Sequence, residues 1–562
     1  MIISPPCLDH PQGDQSDHDW LNAIMPNTAV GAYPITSHFD WHGGQHILGI
    51  SGQINKVYAI ADGVIVYYTP PSSDEDRLTF PGNIRDDNGC VVIRHETEIG
   101  EGYDGKVVFF SVYQHLHHLS MAVKGTPYPG QWIPKRVSRK EYIGDMGVVG
   151  GEVGLHFEII CSESNLKKIM GRTQGELDLS KEGRTNIVYG DNHFYLPSGT
   201  DFYATQPTAA PLPASYTSSA DLFISLHFDK GQASLSTYQE KEGQYSTLGE
   251  PLQAEADYEY NLYKKATDAA KTYPIAASAL YELYRFGRVI NTANESPIPP
   301  TVPHWHQVNY PGGQGWVNLN AANVKKYSDA DFPHWLGWTF INDDPSDNGL
   351  CDSPTLQSWF LPEGKEKNKA NLVMGLKVPE NQQRLAKTIC QFPSEWDGGQ
   401  IDTRYGWWKT KGPMNPEENV FSEEHYAKLK TKLELLCFWE KAVLKNNTAF
   451  SLHDNDPNRA QWDTELEQDK LWHFHPREFI EQMRKCGWLG VRECKQLVPT
   501  TIIRGQHSGL SGPFYQERVS ESGGSLLAKH LNFLNQAWRK YGINTPVRLA
   551  AFVGNSTQET TW

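Results

Sequence analysis

The chain reads as a multidomain protein of the α+β class, and three observations carry that reading. At 562 residues it exceeds the ~250–300 residues at which single cores stop growing. Its first 200 residues break short apolar runs with Gly, Pro and Asp clusters, the pattern of antiparallel strands. Residues 353 to about 500 carry apolar positions at helical spacing instead. Between these regions, residues 204–219 are rich in Pro, Ala, Ser and Thr and hold no core residues, which is the composition of a semi-extended linker.

Composition narrows the class. The chain is 39% hydrophobic and 21% charged, ordinary for a globular protein. A net charge of -15 argues against nucleic acid as a partner, because phosphate binding draws on Lys and Arg. No apolar run reaches the ~18 residues needed to span a bilayer. The opening Met1-Ile2-Ile3-Ser4-Pro5-Pro6-Cys7 lacks a basic segment before an apolar one, so no signal peptide is expected. The 17 Trp and 26 Tyr fit either a sugar-binding cleft or aromatic packing. Eight cysteines (Cys7, Cys90, Cys161, Cys351, Cys390, Cys437, Cys486, Cys494) form no C-x-x-C pair. They demand neither a zinc knuckle nor a disulfide framework, while Cys351 with Cys390, or Cys486 with Cys494, remain possible pairs in an oxidising compartment.

Taken in order, residues 1–30 read as a Pro- and Asp-rich arm. Residues 31–203 read as a β domain, with strands at 57–60, 64–68, 91–94, 107–116 and 154–160 and a long acidic loop at 70–86. After the linker, 220–350 hold a strand at 222–227, helices within 254–284, and two short strands around Pro311-Gly312-Gly313. Trp305, Trp316, Trp335 and Trp338 there either line a groove or fill a core. Acidic turns at 342–349 and 454–458 each lack a feature of a calcium loop (the twelfth-position Glu in the first, the sixth-position Gly in the second) and read as capped turns. Residues 351–505 read as mainly helical, including a helix at 421–444. In that region 471–476 (Leu-Trp-His-Phe-His-Pro) read as aromatic packing. Residues 511–517 read as a loop. The end, 506–562, holds a helix, a Gly542-Ile543-Asn544-Thr545-Pro546 turn and a second helix.

The residues richest in chemistry are histidines. Trp41-His42-Gly43-Gly44-Gln45-His46, Tyr113-Gln114-His115-Leu116-His117-His118 and Gly154-Leu155-His156-Phe157-Glu158 fall within one β region. A lone histidine is usually an ordinary polar residue. Three such segments together point to a metal centre with a base beside it, since imidazole is the commonest zinc ligand. In a strand, Gly154, His156 and Glu158 share one face.

Residues 34–161 resemble the lysostaphin-type zinc peptidases. Those read His-x-Gly-x-Asp-Ile, Val-x-Ala-x-x-Gly-x-Val, Tyr-x-His-Leu and His-Leu-His-Phe-Glu. The matching stretches here are His42-Gly43-Gly44-Gln45-His46-Ile47, Val57-Tyr58-Ala59-Ile60-Ala61-Asp62-Gly63-Val64, Tyr113-Gln114-His115-Leu116 and Gly154-Leu155-His156-Phe157-Glu158. The resemblance implies Zn2+ held by His42, His46 and His156, with His115 as catalytic histidine. His46 stands where the family has Asp. Gly154 replaces the family's second catalytic histidine, a role left to His117, His118 or Glu158.

Residues 303–320 resemble the closing strands of a bacterial SH3-like barrel. Residues 531–560 resemble the opening of chitinase- and lysozyme-like glycosidases, with Glu559 of Gln558-Glu559-Thr560 at the general-acid position. The chain stops at Trp562, before any second carboxylate, so this domain is expected to be incomplete. The order of parts resembles type VI secretion cell-wall effectors. The implied activity is hydrolysis of a peptidoglycan amide bond, by an amidase or a stem-peptide endopeptidase. The implied partners are peptidoglycan, a secretion spike or carrier and an immunity protein. The implied place of action is the periplasm of a target bacterium, reached from the cytoplasm without a signal peptide. A different class of reading is a catalytically inactive wall-binding or secretion-adaptor protein.

Overall fold

Alternation in the sequence becomes strands, and helical spacing becomes helices, in a mixed α/β structure with several antiparallel sheets. The structure, a computed structural model, describes residues 1–26, 32–73, 78–80, 84–124, 135–208, 212–346, 348–410, 420–442, 452, 462, 471–498, 501–505, 514–518 and 521–560. Two compact units are each assembled from separated stretches of chain. The first takes 1–98, 106–174 and 339–484; the second takes 99–105, 175–338 and 485–562. The sequence reading expected consecutive domains divided at 204–219. That stretch instead lies inside the second unit, where Tyr216–Thr217 pairs with Asp201–Phe202.

The first unit is built on an 11-stranded sheet. Its hub is the strand Glu152–Cys161, whose last eight residues are all buried. Gly44–Leu48, Lys106–Leu119, Tyr142–Val149 and Leu471–Phe474 all pair with it antiparallel. The sheet grows further from Leu471–Phe474 through Thr388–Phe392 to Thr339–Ile341. Thr388–Phe392 and Leu471–Phe474 correct part of the helical expectation for 351–505. Thr-Ile-Cys-Gln-Phe and Leu-Trp-His-Phe are β-branched or aromatic runs too short for a helix and suited to a pleated surface. The helix expected at 421–444 runs Glu423–Leu436, capped by the Ser422 side chain accepting from His425 N.

Residues 1–26 are no free arm. Met1, Ile3 and Cys7 are buried, and Ser4 N and Tyr58 N donate to Ile60 O and Pro6 O. Asp17–Ile24 is a helix capped by Ser16. The apolar face buries Trp20, Leu21 and Ile24, and removing that area from water is what holds the segment down. The acidic turn at 342–349 is capped as expected, with Asp344 accepting from Ser346 N, Asp352 N and Trp41 Nε1. The second acidic turn, 454–458 with Glu465, and residues 74–77 and 81–83 of the acidic loop lie outside the described residues.

The second unit has a six-stranded sheet. Along Leu222–Asp229, Leu222, Ile224 and Leu226 face Tyr258, Leu262, Leu280 and Leu283 of two helices. Phe223, on the opposite face, packs with Tyr327 and Trp335. Trp305–Tyr310 and Gly313–Asn318 form the expected hairpin. Trp335 and Trp338 are core residues, whereas Trp305 and Trp316 are half-buried. Phe514–Arg518, expected as loop, is a strand paired with Thr501–Gly505. Helices Glu521–Tyr541 and Pro546–Thr560 close the unit, and Arg548 grips both Glu259 oxygens at 2.7 Å. All eight cysteines are free and buried, including the two pairs left open above. Among the described residues no helix is long and apolar enough to cross a membrane.

Burial leaves a pH signature. Burial pushes His95 down to about 4, and His475 and His306 down to about 3. Each folded value lies below the ordinary value of 6.5, so below that pH the unfolded chain binds more protons than the folded one. Their contribution is complete above about pH 6.5 and is lost as pH falls towards 3–4. Chemical unfolding followed from pH 7.5 to 4 should therefore show a steady loss of stability; a flat profile across that range contradicts it.

Candidate metal centre

The centre begins with one strand pairing. Gly44–Leu48 runs antiparallel to Glu152–Cys161 with His46 opposite His156. Directly paired residues point to the same side of a sheet, so both imidazoles are delivered to one face. His42 arrives from the preceding turn, where its N–H donates to Pro34 O. The turn passes so close that only glycine fits. A Cβ on Gly43 would stand 2.2 Å from Glu158 Oε1, and one on Gly44 would stand 2.4 Å from Phe157 O.

His42, His46 and His156 each offer a ring nitrogen, all within 4.8 Å of one another. His42 Nε2 and His46 Nε2 are 3.4 Å apart. His42 Nδ1 lies 2.8 Å from Gly44 O. A carbonyl only accepts, so Nδ1 carries the proton and Nε2 keeps its lone pair for the centre. His42 and His156 are buried and His46 nearly so. Burial pushes His42 down to about 4 and His46 well below its usual value, leaving them neutral, as ligands must be. His46 Nδ1 and both nitrogens of His156 are buried without a hydrogen-bond partner. Orphaned buried nitrogens are costly, and an ion at the centre would take up one nitrogen of each ring. The donor set therefore fits a metal ion of the kind that takes imidazole nitrogen.

His115 reaches this centre through an irregularity. Tyr113 pairs with Phe157 and Gln114 with His156, so regular alternation would turn His115 to Tyr113's face, away from His156. The pairing with Gly89–Glu98 slips at this point, Gly89 opposing Leu116 and Cys90 opposing Gln114. His115 is the extra residue of that bulge and has φ 65°, at a cost of roughly 1–2 kcal/mol for a side-chain-bearing residue. Its ring centroid ends 6.2 Å from that of His46 and 6.5 Å from that of His156. Nδ1 lies 2.8 Å from Asp87 O, so Nδ1 holds the proton and Nε2 is free to accept one. Burial, with His156 beside it, pushes His115 down to about 3.

The position of Gly154 explains itself. A Cβ there would meet Val149 Cγ1 at 2.9 Å and Ile47 O at 3.2 Å, so a larger residue has to displace its neighbours. Of the three residues named as stand-ins, His117 and His118 have side chains 54% and 50% exposed, beside Asp87 and Asp145. Glu158 is engaged on both oxygens. Trp396 Nε1 donates to Oε2 at 2.9 Å, and His473 Nδ1 lies 2.8 Å from Oε1. Although burial alone raises a carboxyl, His156 and His473 hold Glu158 well below the usual range. Glu559 is exposed on the helix Pro546–Thr560, which belongs to the second unit.

Glu395, Trp396 and His473 were not assigned to the centre by sequence. The segment 471–476 was read as aromatic packing because no ligand segment lies near it in the chain. It does pack, His473 stacking on Phe392 at 3.9 Å. Strand pairing of Ile159 with Phe474 also sets it against Glu158. Nothing in local spacing could reveal this across more than 300 positions.

One arrangement in the second unit has the composition of a serine-nucleophile site. Ser225 Oγ lies 2.7 Å from His193 Nδ1, and His193 Nε2 lies 3.0 Å from Asp329 Oδ1. All three are buried, and His193 and Ser225 are directly paired across two strands. They form a cross-strand hydrogen-bond chain inside the sheet, with the serine closed to substrate.

No protein-family model, curated protein or solved structure matches this chain.

The glycine turn gives a direct test. Gly44→Ala should destabilise the first unit by about 1–3 kcal/mol through overpacking and weaken metal binding. Gly554→Ala, in a helix where nothing lies within 4 Å of the added Cβ, should be neutral or slightly stabilising. Thermal unfolding of the two variants checks the contrast.

Proposed function

We propose that the chain is a zinc-dependent peptidoglycan hydrolase that cleaves an amide bond, either between muramic acid and L-alanine or within a stem peptide. One observation supports the reading above all. His42, His46 and His156 offer converging nitrogens, with His115 beside them and its Nε2 free. These are the residues whose positions match the ligands and the catalytic histidine of lysostaphin-type peptidases.

Zn2+ bound by the three histidines would supply a Lewis acid and lower the pKa of a bound water towards ~7. The protein's own groups do the rest. Gly44 O fixes the tautomer of His42, and Asp87 O fixes that of His115. His115 Nε2 is then the base that takes a proton from the attacking water and returns it to the leaving amine. As a cation it also stabilises the oxyanion of the tetrahedral intermediate. Trp396, buried with its ring centroid 4.9 Å from that of His156, keeps bulk water from that side, which strengthens each of these interactions.

In the same reading the enzyme is an antibacterial effector of type VI secretion. It is carried by a spike or carrier protein, acts in the periplasm of a target cell, and is neutralised in its producer by an immunity protein.

Two variants separate the roles. His42→Ala should lose stoichiometric zinc and all hydrolysis. His115→Ala should keep its zinc and its melting temperature but lose ~10²–10⁴-fold in rate, as removal of a general base does. Metal analysis together with mass spectrometry of muropeptides released from sacculi reads both, and the product masses name the bond. Near-normal turnover by His115→Ala, or full zinc in His42→Ala, overturns the assignment.

A further inference from the structure

Glu395 lies far outside the stretch that resembles a known family, yet its carboxylate stands against the centre. Its side chain is 9% exposed. Oε1 accepts the N–H of Gly43 at 2.9 Å, in the turn between His42 and His46. The same oxygen lies 3.7 Å from His156 Nε2, a nitrogen with no hydrogen-bond partner. With Glu158 and His156 it forms a second trio of donor atoms within 4.8 Å of one another.

Behind Glu395 stands Arg404. Its Nη2 lies 3.9 Å from Glu395 Oε2 and donates to Trp41 O at 2.9 Å. The guanidinium is buried. Carboxylate and guanidinium thus hold the backbone on both sides of His42, one at Trp41 and one at Gly43. The same carboxylate and that of Glu158 stand at an equal 3.7 Å from His156 Nε2.

We propose that Glu395, backed by Arg404, is the positioning residue of the metal centre: it clamps the His42 turn and sets a negative charge beside the His156 ring. This rests on the zinc reading above and adds a supporting carboxylate from a separate part of the chain. A metal-bound histidine usually donates its other N–H to a carboxylate or carbonyl, which fixes the tautomer and raises ligand basicity. His42 uses Gly44 O for that purpose. His156 has only Glu158 and Glu395 within range, and both Glu158 oxygens are engaged by Trp396 and His473. Glu395 differs from Glu158 in also holding the Gly43 N–H, so one carboxylate stands against two of the three ligand segments.

The test uses the full-length protein. Zinc affinity is measured by competition with a chelating dye, and the visible spectrum of the Co2+-substituted protein reports ligand geometry independently of hydrolysis. Glu395→Gln keeps the size of the side chain and an oxygen for Gly43 but removes the charge. It should bind zinc ~10–100-fold more weakly, the usual effect of removing such a partner. Its cobalt spectrum should change while its melting temperature without metal stays put. Glu395→Ala, which also frees Gly43, should be weaker still. Zinc affinity within about twofold of the parent together with an unchanged cobalt spectrum in Glu395→Gln overturns the role of Glu395 and leaves the zinc reading standing. A parent protein that takes up no zinc overturns both. If Glu395→Ala fails to fold, the isosteric variant still decides.

Discussion

The pairing of one buried strand with four others governs the first unit. Glu152–Cys161 takes Gly44–Leu48 along its length, Tyr142–Val149 at its start, Lys106–Leu119 along its middle and Leu471–Phe474 at its end. A strand offers backbone groups on two edges only. Four partners are accommodated because each uses a different stretch of those edges and the register is set by the hydrogen-bond ladder. A one-residue slip would turn His156 and Glu158 into the apolar layer and Leu155, Phe157 and Ile159 out of it. The burial of those three residues, each at 1% exposure or less, therefore fixes the register, and the register places His156 opposite His46.

Around that pairing the site is held by desolvation and by oriented backbone. Three of its histidines are driven towards the neutral form by burial, and backbone carbonyls decide which nitrogen of His42 and His115 carries the proton. The two carboxylates next to His156 are treated differently. Glu158 is held by Trp396 and His473, whereas Glu395 reaches across to the ligand turn and is backed by Arg404. The stack of Trp41 on Phe392, at 4.6 Å, and of Phe392 on His473 walls this corner and ties the His42 turn to strands more than 300 residues away.

The second unit shows how little side-chain composition alone says about chemistry. His193, Ser225 and Asp329 have the residue types of a catalytic triad, and His304, His306 and Tyr258 bring two imidazoles and a hydroxyl together at 2.9–3.3 Å. All six are buried. Such groups satisfy one another inside a core, which is what buried polar groups must do. His304 Nδ1 is the exception, buried without a partner; the histidines of the first unit differ in that three of them bring donor atoms to one point.

From the sequence alone the mixed class, the short antiparallel strands of the first 200 residues and the three histidine-bearing segments were legible, because period-two alternation, Gly and Pro breaks and residue chemistry are local. His42, His46 and His156 were named from their motifs, and the structure brings them together. Three things were not legible. The bulge that turns His115 inward arises from a register slip against another strand. The burial of residues 1–26 arises from apolar surface contributed by distant segments. The placement of Glu395, Trp396 and His473 beside Glu158 depends on pairing across more than 230 positions. Local sequence determined which residues could do chemistry; only the tertiary pairing of strands decided which of them stand together, because hydrogen-bond ladders and shared burial carry no trace in the spacing of a single segment.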